Sequence, residues 1–167
     1  MNKTIFFGLL FVFMILIQVF ILNNILFLGY VNPYLYIMFI FLFPLNKNRF
    51  VFLFLAFLLG LIIDFFSDSG GIHAFSTLFI AYIRLFFVRV YFNKFEVDFP
   101  FFRLNLEPFG KRFNYVVTLT VIHHFILFSF SNFSFQNFSN VLTNTIYSSI
   151  FTLILYFLVT FIFSKKQ

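Results

Sequence analysis

Runs of apolar residues, each close to the length of a bilayer crossing, follow one another along the chain with only short polar breaks. Crossing about 30 Å of hydrocarbon takes roughly 20 helical residues, with about 17 to 25 tolerated. On that ruler the sequence divides into six spans, at about 4–22, 30–45, 50–66, 72–91, 115–130 and 141–163. The second is short, with Pro33 in its first turn and Pro44 at its end. A chain of 167 residues that is 62% hydrophobic, with 36 phenylalanines, carries more apolar surface than a water-soluble fold of this size buries. The expectation is therefore an all-α membrane protein, one integral membrane domain over 1–167 with six transmembrane helices in one compact bundle. The absence of cysteine excludes thiolate metal sites, disulfides and thiol catalysis.

The cations orient these spans, because loops on the cytoplasmic side retain Lys and Arg. Lys3 precedes the first span, Lys47 and Arg49 fill the second connection, and Lys165 and Lys166 end the chain. Arg89, Lys94, Arg103, Lys111 and Arg112 lie at or within the fourth connection, 92–114. Only Arg84 falls inside a span, so both termini are expected in the cytoplasm of a multi-pass membrane protein. The same basic surplus thus serves topology and not nucleic acid. Within the fourth connection, "KFEVDF" and "RLNLE" alternate polar and apolar residues, a pattern that fits a small hairpin as well as an irregular interfacial loop.

Polar residues are concentrated in "GLIIDFFSDSGGIHAF", residues 60–75. Its Asp68-Ser69-Gly70-Gly71 resembles the surroundings of a trypsin-like nucleophile, but such a serine needs a base and an acid supplied by a soluble β-barrel. Turn chemistry accounts for the segment, with Ser69 or Asp68 available to N-cap the fourth span. An intramembrane hydrolase using Ser69 with His123 or His124 fails on depth. His123 should lie about 12 Å above the inner edge and Ser69 at the outer edge, a gap of well over 10 Å. Adjacent histidines point about 100° apart and cannot act as an i, i+4 metal pair, so one of them is expected to face a helix contact. Arg84, roughly 18 Å into the fourth span, is expected to snorkel or to pair with an acid of the cytoplasmic connection or of a partner. Asp64 reads either as a solvated helix-end acid or as the best functional candidate.

Gly60, Leu61, Asp64, Phe65, Phe66, Ser67, Asp68, Gly71, Ile72, His73 and Ala74, followed by "FIAYIR" at 79–84, resemble the MreD family of rod shape-determining membrane proteins. "NPYLYIMFIFLFPL" at 32–45 resembles the second helix of its Bacteroidetes-type members, and "IHHFILF" at 122–128 the fifth, so the resemblance covers roughly residues 5–160. Asp64 and His73 are separated without the proline that many other members carry there. The resemblance implies a non-enzymatic scaffold of the cell-wall elongation complex, without cofactor. Its partner would be MreC and, indirectly, MreB and the peptidoglycan transglycosylase and transpeptidase pair. It also implies an architecture similar to the substrate-binding subunits of energy-coupling vitamin transporters, and a small-molecule-binding transporter subunit is the alternative function. Partner or structural contact is expected at Asp64, Gly71, His73, Ala74, Arg84, His123 and His124, with no catalytic or metal residue among them.

Overall fold

A computed structural model describes residues 3–25, 32–45, 47–100, 102–132 and 138–164. The described residues form helices and turns, with no strand among them. In chain order the α-helices are α1 (Lys3–Phe20), α2 (Met38–Leu42), α3 (Arg49–Ser67), α4 (Ile72–Phe92), α5 (Phe109–Ser131) and α6 (Phe138–Ser164). Five of them, all but α2, are long and apolar enough to cross a membrane. Consecutive long helices pack side by side, α3 on α4, α4 on α5 and α5 on α6, while α1 lies against α3. The two ends of the bundle are defined by the tight α3–α4 turn and by the longer α4–α5 loop.

Large apolar side chains face outward. Leu9, Phe13 and Leu16 on α1 and Ile146, Ile150 and Ile154 on α6 are all exposed. The inward face of α6 carries Thr145, Ser148, Ser149 and Thr152, all buried. This distribution inverts that of a water-soluble bundle and suits helices that contact lipid outside and one another through small polar residues inside.

The expected second span departs most from the helical ruler. Only Leu35–Ile37, in a 3₁₀ turn, and Met38–Leu42 are helical, and the chain is irregular on both sides. Prolines set these limits. Pro44 pushes the preceding residue out of the helical region, and Phe43 accordingly sits at φ −62°, ψ 135°. The segment still connects both ends of the bundle, because eight helical residues rise about 12 Å while each extended flanking residue adds up to about 3.3 Å. It is also the most deeply enclosed part of the protein, with Tyr36, Phe39 and Ile40 fully buried. It touches α1, α4 and, through its 3₁₀ turn, α6. A broken helix at such depth exposes backbone groups that need partners from the protein.

The fourth connection also differs. Helix α5 begins at Phe109, six residues before the expected Tyr115, so the fourth connection is shorter than 92–114. That connection forms 3₁₀ turns at Glu96–Asp98 and Leu104–Leu106, which replaces the hairpin reading with the irregular one.

The α3–α4 contact is closest at Gly60. A Cβ built there would lie 2.5 Å from the Ala74 Cα and 2.5 Å from the His73 carbonyl oxygen, both backbone atoms that cannot swing aside. Together with buried Ala56 one turn earlier, Gly60 forms a small-residue seam against α4. Gly60→Ala is expected to force the helices apart and to lower stability by about 2 kcal/mol in a detergent unfolding titration. Unchanged stability would show that the seam tolerates separation.

Candidate functional site

The polar residues gather in three linked groups along the broken segment. The first lies at the α3–α4 turn. Asp68 ends α3 in the left-handed conformation at φ 49°, and Gly71 at φ 96° begins α4 without offering a side chain as cap. The exposed amides of the first turn of α4 are taken instead by the neighbouring helix. Asp64 Oδ1 accepts from the His73 amide at 2.9 Å and from Ser69 Oγ at 2.5 Å, and its Oδ2 accepts from the Ala74 amide at 2.7 Å. A carboxylate at a helix N-terminus is favoured by the partial positive charge there as well as by the bonds. Asp64 is buried and, with three donors on it, is neither solvated nor free for acid-base work. The expected cap from Ser69 or Asp68 is thus corrected. Ser69 reaches Asp64, and Asp64 caps α4, because Gly70 and Gly71 turn the chain so tightly that the cap position itself is a glycine.

His73, Tyr36 and His123 form the second group. The Tyr36 hydroxyl lies 2.8 Å from His73 Nδ1 and 3.0 Å from His123 Nε2. A phenol has one proton, so it donates to one imidazole and accepts from the other. Both histidines therefore share one level of the bundle, so His123 lies nearer the α3–α4 turn than the expected depth of about 12 Å above the inner edge placed it. The reason is the earlier start of α5, which carries His123 further along the bundle than the ruler placed it. Ser69 donates to Asp64, and Tyr36 stands between His73 and His123.

His124 forms the third group and points elsewhere, as the 100° offset between neighbours requires. Its Nδ1 lies 2.8 Å from the Thr120 carbonyl, which can only accept, so Nδ1 carries the proton. Its Nε2 then accepts from Thr152 Oγ1 at 3.2 Å, and the same hydroxyl accepts from the Tyr34 amide at 2.9 Å. Gln18 Nε2, on α1, donates to the Pro33 carbonyl at 3.0 Å. Two elements of the bundle, α1 and α6, thus satisfy the entrance of the broken segment, and α5 backs the second through His124.

Arg84 performs the same service at the other end. Its guanidinium donates to the Phe43 carbonyl, to the Phe41 carbonyl at 3.3 Å and, through Nε, to the Tyr115 hydroxyl at 3.2 Å, and it lies 5.1 Å from the Phe52 ring centre. It is 2% exposed, so snorkelling is ruled out. No acid of this chain pairs with it among the described residues, whose single ion pair is the exposed Arg89–Glu96 contact. The carbonyls freed where α2 stops at Pro44 supply the negative potential that an acid would otherwise provide.

Asp64, Gly71, His73 and Ala74 are therefore brought together, His123 joins them through Tyr36, and Arg84 and His124 sit on separate contacts. Gln18, Tyr115 and Thr152 were not singled out from the sequence, and Tyr36 entered only through the resemblance of the second span, not as a site residue. Tyr36 and Thr152 carried a readable signal, a polar group near the middle of an apolar run. No group of three or more potential metal ligands occurs among the described residues. Beside the first group, at the α3–α4 turn end, a half-open cavity of about 420 Å³ is lined by residues that include Asn32, Tyr34, Ser69, His73 and Phe128.

Ser69→Ala removes one of three donors to Asp64 and is expected to lower stability by about 1 kcal/mol. The protein should keep its cellular role, and a complete loss of that role in a folded Ser69→Ala protein would revive the nucleophile. No family model, curated protein or solved structure matches this chain.

Proposed function

We propose that this chain is a non-enzymatic scaffold of the bacterial cell-wall elongation complex, holding an MreC-like single-span partner in the inner membrane. Through that partner it would act on MreB and the peptidoglycan synthases. One observation supports the reading: Gly60, Asp64, Gly71, His73 and Ala74, five of the residues on which the resemblance to MreD rests, converge on a single packed corner. Gly60 admits α4, Asp64 caps it, Gly71 makes the turn, and His73 and Ala74 supply the capped amides. Such residues build a rigid helix pair; they do not present a reactive group.

In this reading both termini face the cytoplasm, the α3–α4 turn faces outward and the basic α4–α5 loop faces inward. Single cysteines in this cysteine-free chain test the arrangement. Ser69→Cys should react with an impermeant thiol reagent from outside intact cells and Asn105→Cys should not; the reverse pattern would invert the topology. For the role itself, depletion is expected to round rod-shaped cells, and the tagged protein should co-purify with an MreC-like protein. Normal cell shape after clean deletion would overturn the proposal.

A further inference from the structure

At the end of the bundle opposite the α3–α4 turn, cations gather where a helix start disfavours them. Lys47 and Arg49 flank Asn48, the residue that caps α3, and the first turn of α3 contains no acid. The amides that begin a helix carry partial positive charge, so a lysine and an arginine there are repelled by the helix as well as by each other. The start of α4 receives the Asp64 carboxylate. The start of α3 receives only the neutral Asn48 side chain, which accepts from the Phe50 amide at 2.9 Å.

A cleft beside this start concentrates the charge. The residues lining it include Pro44, Lys47, Arg49, Ala81 and Arg84, and no Asp or Glu is among them. Arg84 is enclosed, and its hydrogen bonds run from Nε and Nη2, with none from Nη1 among the described residues. Lys47 and Arg49 are exposed, and neither has an ion-pair partner among the described residues. Three cations thus line one cleft without an acid, and the field they share attracts an anion. The cleft holds about 30 Å³, room for little more than a water, so the anion meets Lys47 and Arg49 at its mouth instead of entering.

The surroundings select the source of the anion. Arg49 lies over the Tyr82 ring, 5.2 Å from its centre, and Tyr82 and Phe50 are 61% and 77% exposed. On helices long enough to cross a membrane, these rings meet acyl chains just where the two cations meet headgroups. A phosphate diester that carries acyl chains satisfies both, whereas free phosphate satisfies only the charge. We infer that the cleft at the start of α3 binds the phosphate of an anionic phospholipid between Lys47 and Arg49, with its acyl chains on Phe50 and Tyr82. The site does not rest on the scaffold reading and would stand if that reading failed.

The chain has no tryptophan, so Phe50→Trp supplies a unique fluorophore beside the site, and Leu158→Trp, at an exposed position on α6, supplies the control. In bilayers of equimolar phosphatidylglycerol and phosphatidylcholine, brominating the acyl chains of one lipid at a time measures which of the two touches each tryptophan. Quenching in the Phe50→Trp protein should give an association constant about fivefold higher for the anionic lipid, the preference that about one engaged cation confers. The Leu158→Trp protein should bind the two lipids equally. Adding Lys47→Gln and Arg49→Gln to Phe50→Trp should bring the two lipids level, with folding checked by size-exclusion profile. About 20 mM inorganic phosphate, at constant ionic strength, should leave the preference in place. Equal quenching by both lipids in the Phe50→Trp protein, the same preference in the Leu158→Trp protein, a preference kept after both glutamine substitutions, or its loss to inorganic phosphate would each overturn the inference.

Discussion

Asp64→Ala is expected to lower stability by about 3 kcal/mol in a detergent unfolding titration. Three donors end on the carboxylate, and charge-assisted bonds contribute about 1.5–3 kcal/mol each in water, less where the unfolded chain finds partners within the membrane. The loss exceeds that of an ordinary exposed cap, about 1 kcal/mol, because the His73 and Ala74 amides are enclosed and cannot turn to water. Asp64→Asn should fall between wild type and alanine, since the carboxamide has one acceptor oxygen and must set its NH2 group against a donor. Hydrogen exchange gives the local signature: amides 73 and 74 should lose protection first, while those of α5 remain slow. Wild-type stability in Asp64→Ala would mean that Gly71 and the turn suffice to start α4.

Arg84→Ala should cost about 3 kcal/mol as well, by a different route. It strips the donors from the Phe41 and Phe43 carbonyls and from Tyr115, and it leaves a void beneath Phe52. Pro44 has no amide to offer those carbonyls, so nothing local replaces the guanidinium. Arg84→Lys should recover only part of the loss, because one ammonium cannot reproduce the planar fork that reaches a carbonyl and the phenol at once. Exchange should quicken at residues 38–43, with the α3–α4 corner unaffected. If Arg84→Lys matched wild type, charge alone would be stabilising the end of α2. If both variants matched it, the broken segment would be holding itself.

The two substitutions act at opposite ends of one design. Asp64 accepts from backbone amides at the start of a long helix, and Arg84 donates to backbone carbonyls at the end of a short one. Each is enclosed without an ionic partner among the described residues, and each is neutralised by peptide dipoles. Such an arrangement explains why so apolar a chain retains them: removing either leaves main-chain groups that the surrounding hydrocarbon side chains cannot satisfy.

The long helices were legible because their signal is additive. About twenty consecutive apolar residues outweigh any local preference, and α3 and α4 fall within a residue or two of their expected bounds. The second span was legible in place but not in form. Its prolines were visible, yet whether they cap a helix or shorten it depends on what receives the freed backbone groups. Those receivers, Gln18, Arg84 and Thr152, stand up to 118 residues away in sequence from the groups they serve.

The candidate site divides in the same way. Asp64, Gly71, His73 and Ala74 belong to one turn, and local spacing already placed them together. His123 and Tyr36 meet them only through the packing of α5 and the broken segment, and the helical ruler misjudged that level by assuming a later start for α5. Sequence by itself determined how many apolar segments there are, which residues turn the chain and which polar groups had to be accounted for, because hydropathy and turn chemistry are properties of neighbours in the chain. Only the tertiary structure decided what each buried polar group holds. A hydrogen bond is made within about 3 Å, and which atoms come that close is set by how helices from distant parts of the chain pack together.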